Sequence, residues 1–284
     1  MRERLLYLLL LLTFAITVNA DNLGYSKKNP LLFGIDMDYP PMEYVDEKGI
    51  PRGFDVLFTQ RLMMRMNLPF TYAPNTWEKI ADDILDGRVD LGMMVYSPYR
   101  KDVTNFSRAV FKLYYQLVTR KDGPKMTGLR DARDKTFALM RSRPIVDTLT
   151  KVGAKTVIVT DLSKTMKELS SGKYDAVICF RYQARYIIDN SHLDNLVARD
   201  LALTPREYCY VSHDKKLIDA INVTLDKMEE EGEIDEVYGN IKAAFGKDVI
   251  PMWVWFLLGG VVISGLIIVI VLQRRSRKLI IREM

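Results

Sequence analysis

The sequence is poor in the side chains that metalloproteins and many enzymes recruit, with two cysteines and two histidines in 284 residues. His192 and His213 stand far apart, and no His/Cys/Asp spacing suits zinc or iron, so no metal or other cofactor is expected. A nucleophile elbow, a phosphate-cradling glycine loop and the kinase signatures are missing too. Asp36 and Asp38 are paired carboxylates, but such pairs are common and do not by themselves make an acid–base catalyst. Cys179 and Cys209 each sit in an apolar, strand-like run, where a buried thiol and half of a disulfide are both natural.

Clustered charge of one sign is also scarce. The formal net charge is +5, but much of it sits at the ends of the chain. Setting aside Arg2, Arg4 and Glu3 at the start, and Arg274, Arg275, Arg277, Lys278, Arg282 and Glu283 at the end, leaves 34 basic and 34 acidic side chains. A neutral body without a long Lys/Arg run cannot displace counterions from a polyanion, so nucleic acid is excluded as a partner.

Two long hydrophobic runs stand out. Residues 5–18 are apolar, follow a basic start and lead to Val18-Asn19-Ala20, the pattern of a signal peptide over residues 1–20 cut after Ala20. Residues 249–273 carry no charge over 25 positions, enough for a transmembrane helix. Trp253 and Trp255 mark its entry and the Arg274/Arg275/Arg277/Lys278 cluster its exit, so residues 21–248 are expected outside the membrane and the 274–284 tail inside. Gly260 and Ser264 lie four apart on this helix and leave open a dimer formed through it.

The exported part reads as α/β. Strands are predicted over residues 31–35, 70–73, 89–95, 115–119, 136–140, 156–159, 176–180 and 208–212. Helices are predicted over 53–66, 79–85, 145–152, 163–169, 181–190 and 217–231. One unit occurs twice: the run from Trp77 to Leu91 and the run from Leu162 to Ala176 both go helix, then Gly-basic-apolar-Asp, then an apolar strand. Two α/β lobes sharing this corner would leave a cleft at their strand ends, where small ligands bind in open sheets.

Over roughly residues 31–245 the sequence resembles the type 2 periplasmic solute-binding proteins, specifically the polar amino-acid group called family 3. The resemblance rests on Phe33-Gly-Ile-Asp-Met-Asp-Tyr-Pro-Pro-Met-Glu-Tyr-Val-Asp-Glu-Lys-Gly-Ile-Pro-Arg-Gly-Phe-Asp-Val, on Leu85-Asp-Gly-Arg-Val-Asp-Leu, on Tyr96-Ser-Pro-Tyr-Arg100 with Asn105-Phe-Ser107, and on Met228 to Tyr238. It implies a two-lobed Venus-flytrap, lobe 1 from about 29–117 plus 207–247 and lobe 2 from about 118–206, closing on a small ligand. It also implies the inner membrane of a bacterium, with the 21–248 domain in the periplasm or outside the cell.

By this resemblance Tyr39 and Trp77 are aromatic walls for the ligand, Arg100 grips a carboxylate, and Ser97 donates a hydroxyl. Read from the residues alone, the aromatics could equally be core, Arg100 could pair with Asp102, and Ser97 could cap a helix. The sequence also departs from the family. Val95 stands where a ligand-binding Ser or Thr is usual, and the Gly-Ser-Thr of lobe 2 reads Ser142-Arg143-Pro144, with Arg141 beside it. Phe180, followed by Arg181, takes the place of the acidic residue that receives the ligand's ammonium, which leaves Asp36 for that role. A ligand's free ammonium has thus lost its principal partner. Arg100, Arg141, Arg143 and Arg181 together bias the cleft toward an anion, so that within the class of amino acids and small carboxylates a carboxylate or otherwise anionic ligand is expected. The expectation is a membrane-anchored sensory receptor with a signalling partner. The alternatives are a tethered receptor for a permease of the ABC type and, more remotely, a dehydratase-like enzyme or a protein-interaction module.

Overall fold

The computed structural model describes residues 23–140 and 143–245. The expected signal peptide, transmembrane helix and tail, together with Arg141 and Ser142, lie outside these residues. Among the described residues no helix is long and apolar enough to cross a membrane.

The chain begins with β1 (Leu31–Asp36), a small antiparallel meander of β2 (Asp38–Tyr39), β3 (Glu43–Val45) and β4 (Pro51–Arg52), then α1 (Phe54–Arg65), β5 (Phe70–Asn75) and α2 (Trp77–Leu85). It continues through β6 (Gly92–Val95), β7 (Asn105–Leu113), β8 (Tyr115–Arg120), β9 (Thr136–Leu139), α3 (Arg143–Lys151), β10 (Lys155–Ile158) and α4 (Leu162–Ser170). The last elements are β11 (Ala176–Phe180), α5 (Arg181–Asn190), β12 (Leu196–Asp200), β13 (Arg206–Ser212), α6 (Lys215–Glu230) and α7 (Glu233–Phe245).

These elements form two lobes. In the first, β5 pairs in parallel with β1, and β1 meets the chain just before β6 through a parallel bridge between Phe33 and Leu91. The antiparallel trio β6-β13-β7 extends that side. Its core gathers Phe33, Phe58, Leu62 and Tyr210 with residues of α6 and α7. In the second lobe, the five-stranded sheet β10-β9-β11-β8-β12 is buried on both faces, by Phe137, Leu139 and Leu149 on one and by Val118, Val177 and Met166 on the other. The chain crosses between lobes at Tyr114 and again over residues 201–205, where the Leu201 amide donates to the Tyr115 carbonyl at 3.0 Å.

The repeated sequence unit is a repeated physical device. After α2 the chain turns at Gly87 (φ +70°), and after α4 at Gly172 (φ +92°), a left-handed conformation that favours glycine. The next residue, Arg88 or Lys173, donates its amide to the carbonyl of Asp83 or Glu168 and pairs with the same residue's carboxylate. The aspartate two residues further on then anchors the start of a neighbouring strand. Asp90 accepts from the Leu32 amide at 2.7 Å, and Asp175 accepts from the Thr136 amide at 2.8 Å.

The eight predicted strands and six predicted helices appear, 176–180 and 181–190 with the ends expected and the others with shifted ends. The 89–95 run pairs as a strand only from Gly92, since the chain bends through Arg88–Asp90. Strands β7 and β12 and the small meander were not predicted. β7 spaces Arg108 and Lys112 among its apolar residues and β12 ends in Arg199-Asp200, so neither shows a clean alternation. Cys179 on β11 and Cys209 on β13 are free buried thiols in different lobes, which resolves the open disulfide question in favour of thiols.

Candidate ligand cleft

The strand ends of both lobes face each other. Tyr44 on β3 and Tyr186 on α5 meet across the gap, with ring centroids 6.5 Å apart. Asp38 of lobe 1 lies within electrostatic reach of Asp161, which caps α4 in lobe 2 by accepting from the Lys164 amide at 2.7 Å.

Asp36 ends β1 and is 8% exposed, with its Oδ1 accepting from the Asp38 amide at 2.9 Å. Burial pushes its carboxyl up to about 6, the Asp38 amide works against that, and the charges of Asp38 and Glu78 add to it. Asp38 is also raised, by burial and then by Asp161. Asp36, Asp38 and Glu78 of lobe 1 and Asp161 of lobe 2 therefore gather acidic charge at one place in the gap, and of these only Asp36 was expected from the sequence to meet the ligand.

The other charge comes from the loop after β6. Arg100 sits in a turn whose first bond runs from its own amide to the Ser97 carbonyl at 3.0 Å. Its guanidinium reaches Met94 Sδ at 3.8 Å and meets no carboxylate among the described residues, so the ion pair with Asp102 does not form. Burial, with Arg206 nearby, holds its pKa below the usual guanidinium range. Arg206 itself donates to the Tyr96 carbonyl at 2.7 Å. Asp36 and Met94 each lie three residues past the parallel bridge between Phe33 and Leu91, so Asp36 and the Arg100 guanidinium beside Met94 belong to the same end of lobe 1. No helix follows Ser97, and the helix-capping alternative for it falls away.

The remaining candidates divide. Trp77 opens α2, half-buried against the cluster of Ile80, Ile84 and Val89. Tyr39 packs on the lobe 1 core, and burial together with Asp55, Glu43 and Asp36 drives its phenol far above the ordinary range. Phe180 touches the cores of both lobes and stacks on Tyr115 at 4.8 Å. Arg181 is committed within the fold. Its Nε donates to Asp200 Oδ1 at 3.1 Å, a second nitrogen pairs with Asp200 Oδ2, and its guanidinium lies 4.9 Å from the centre of the Tyr114 ring. Of the four arginines expected around the cleft, this one has its charge neutralised by Asp200. Arg143 begins α3.

Two lobes crossed twice by one chain, with facing strand ends that carry separated opposite charges, define a two-lobed binding protein of the periplasmic type. The family model of the bacterial extracellular solute-binding proteins, family 3, matches residues 31–241, and the chain belongs to that family. The arginine-binding extracellular protein ArtP of Bacillus subtilis (strain 168) is 26% identical over 236 residues, covering 80% of this chain and 92% of ArtP. The L-cystine-binding protein TcyJ of Escherichia coli (strain K12) is 22% identical over 231 residues, covering 78% of this chain and 85% of TcyJ. A histidine kinase sensor domain with similarity to periplasmic binding proteins matches with a TM-score of 0.69 at 24% identity, covering 74% of this chain and 95% of that domain.

Proposed function

We propose that the 21–248 domain binds a free amino acid in its cleft, with the ligand carboxylate on Arg100 and a cationic group on Asp36, and that it acts as the extracytoplasmic receptor of a membrane-anchored sensor. The observation that carries this reading is the half-buried Arg100 guanidinium, which meets no carboxylate among the described residues, at the same end of lobe 1 as an acidic group of Asp36, Asp38 and Glu78. A dicarboxylate would satisfy the arginine and be repelled by the acids, whereas an amino acid matches both. Trp77 and Tyr39 border the same strand ends and suit the ligand's apolar part.

The sensory role is supported by likeness to the kinase sensor domain and by the uncharged 249–273 stretch that follows the binding domain. A receptor feeding a transporter is the second reading, favoured by the likeness to ArtP and TcyJ, which are an arginine-binding and an L-cystine-binding protein. Isothermal titration of the full chain in detergent with L-arginine, L-glutamine, L-glutamate and succinate tests the ligand class. Arg100→Ala is expected to weaken amino-acid binding roughly 30-fold or more, equivalent to about 2 kcal/mol. Tight succinate binding that survives Asp36→Asn, with no amino acid bound, would overturn the assignment.

A further inference from the structure

Behind the cleft floor lies a group of acids that ligand binding does not use. Glu43 on β3 is 2% exposed and Asp55 on α1 is 0% exposed. Asp55 Oδ2 accepts from the Tyr208 hydroxyl at 3.1 Å, and Oδ1 from the Tyr238 hydroxyl at 2.9 Å. Glu43 Oε1 accepts from the Asp36 amide at 3.1 Å, and its Oε2 is buried with no hydrogen-bond partner among the described residues. Asp55 is the largest charge acting on Glu43.

The groups facing this pair come from every element packed around it. They are Asp36 on β1, Tyr39 on β2, Tyr72 on β5, Tyr208 and Tyr210 on β13, and Tyr238 on α7. Among the described residues no lysine, arginine or histidine forms an ion pair with Glu43 or Asp55. Two adjacent carboxylates away from water and without a cation cannot both stay ionised. The free Glu43 oxygen is the place for a proton, because the other three carboxyl oxygens of the pair already accept hydrogen bonds.

We propose that Glu43 and Asp55 form a proton-binding site inside lobe 1, one proton on Glu43 serving two enclosed carboxyls that have no paired cation among the described residues, so that the receptor responds to pH as well as to its ligand. Burial raises both groups above the ordinary carboxylate range, Glu43 further through the charge of Asp55, while the Tyr238 and Tyr208 hydroxyls work against the rise at Asp55. The site touches the cleft through one hydrogen bond, from the Asp36 amide to Glu43. It touches α7 through Tyr238. Losing the proton sets like charges on β3 and α1 against each other, and β3 carries Tyr44, the ring that meets Tyr186 of lobe 2.

The sign follows from proton counting. The folded chain holds a proton that the unfolded chain releases above the ordinary carboxylate range, so stability falls as pH rises through and above that range. The test is thermal unfolding of the full chain in detergent from pH 5 to pH 9, for the wild type and Glu43→Gln, whose amide keeps the size and removes the charge. Expected are a wild-type Tm that drops toward alkaline pH, and a Glu43→Gln Tm that is higher at pH 8 with a flatter profile. A Glu43→Gln profile parallel to the wild type and lower at every pH would overturn the proposal. Infrared spectra of the wild type provide a measurement that does not depend on the variant folding. A protonated-carboxyl C=O band at pH 7.5 supports the site, and its absence overturns it.

Discussion

Gly53 shows how much one residue can carry. Its φ of +115° lies outside the range of ordinary side chains, and a Cβ there would stand 2.2 Å from the Met42 carbonyl oxygen. The close approach is needed because the first amides of α1 donate to this same stretch, Phe54 to the Pro41 carbonyl at 3.1 Å and Asp55 to the Met42 carbonyl at 2.8 Å. Gly53→Ala is therefore expected to destabilise the domain by about 1–3 kcal/mol, read as a lower denaturant midpoint with an unchanged slope. At this scale the sequence was partly legible. Arg100 stood out through the motif around it, and the structure adds that no carboxylate among the described residues neutralises it. Arg181 stood out in the same way, but its partner Asp200 is 19 residues away and reaches it only because β12 runs beside β8, a pairing that no local pattern announces. Glu43 and Asp55 were hidden as ordinary charged residues. The available clue was that Asp55 shares the inward face of α1 with Phe58, Thr59 and Leu62.

Among the elements, the duplicated corner is where sequence and structure agree in most detail, because a Gly-basic-apolar-Asp run constrains backbone, charge and strand start together. Each aspartate takes up a backbone amide of another strand, and a half-buried amide left without its acceptor costs about 1–3 kcal/mol. Asp90→Ala and Asp175→Ala should each destabilise by that order, in different places. Hydrogen exchange is expected to speed up around Leu32 in the first variant and around Thr136 in the second. Equal loosening of both sheets by either change would show that the corners do not act locally. The strands that sequence did not reveal, β7 and β12, owe their existence to partners rather than to their own pattern. β7 is held by β13 and braced by Arg108, which donates to the Leu225 carbonyl of α6 at 2.9 Å, and β12 is held by β8.

For the whole molecule, α/β alternation and the repeat pointed to two lobes, while the way the lobes touch depends on contacts between distant segments. The lobes meet at the Tyr44–Tyr186 rings, at Phe180 and where Tyr182 of α5 joins the lobe 1 core. A ring pair of this kind contributes about 0.5–1.5 kcal/mol. Tyr44→Ala should weaken L-arginine or L-glutamine binding roughly two- to tenfold and raise the radius of gyration measured by small-angle scattering. Unchanged affinity and dimensions would mean that this ring pair does not hold the lobes together.

The bond between the Leu201 amide and the Tyr115 carbonyl has a further consequence. It joins the two ends of everything between them, so residues 115–200 enter and leave lobe 1 through one doorway. Lobe 2 is in this sense a cassette clipped into a host that stays continuous on both sides. Exchanging the cassette for that of a relative would replace α3, α4 and α5 with their strand ends while Arg100, Asp36 and the buried acids stay in place. New ligand preferences could in this way arise by recombination at a single pair of neighbouring seams, without rebuilding the half of the molecule that α7 closes.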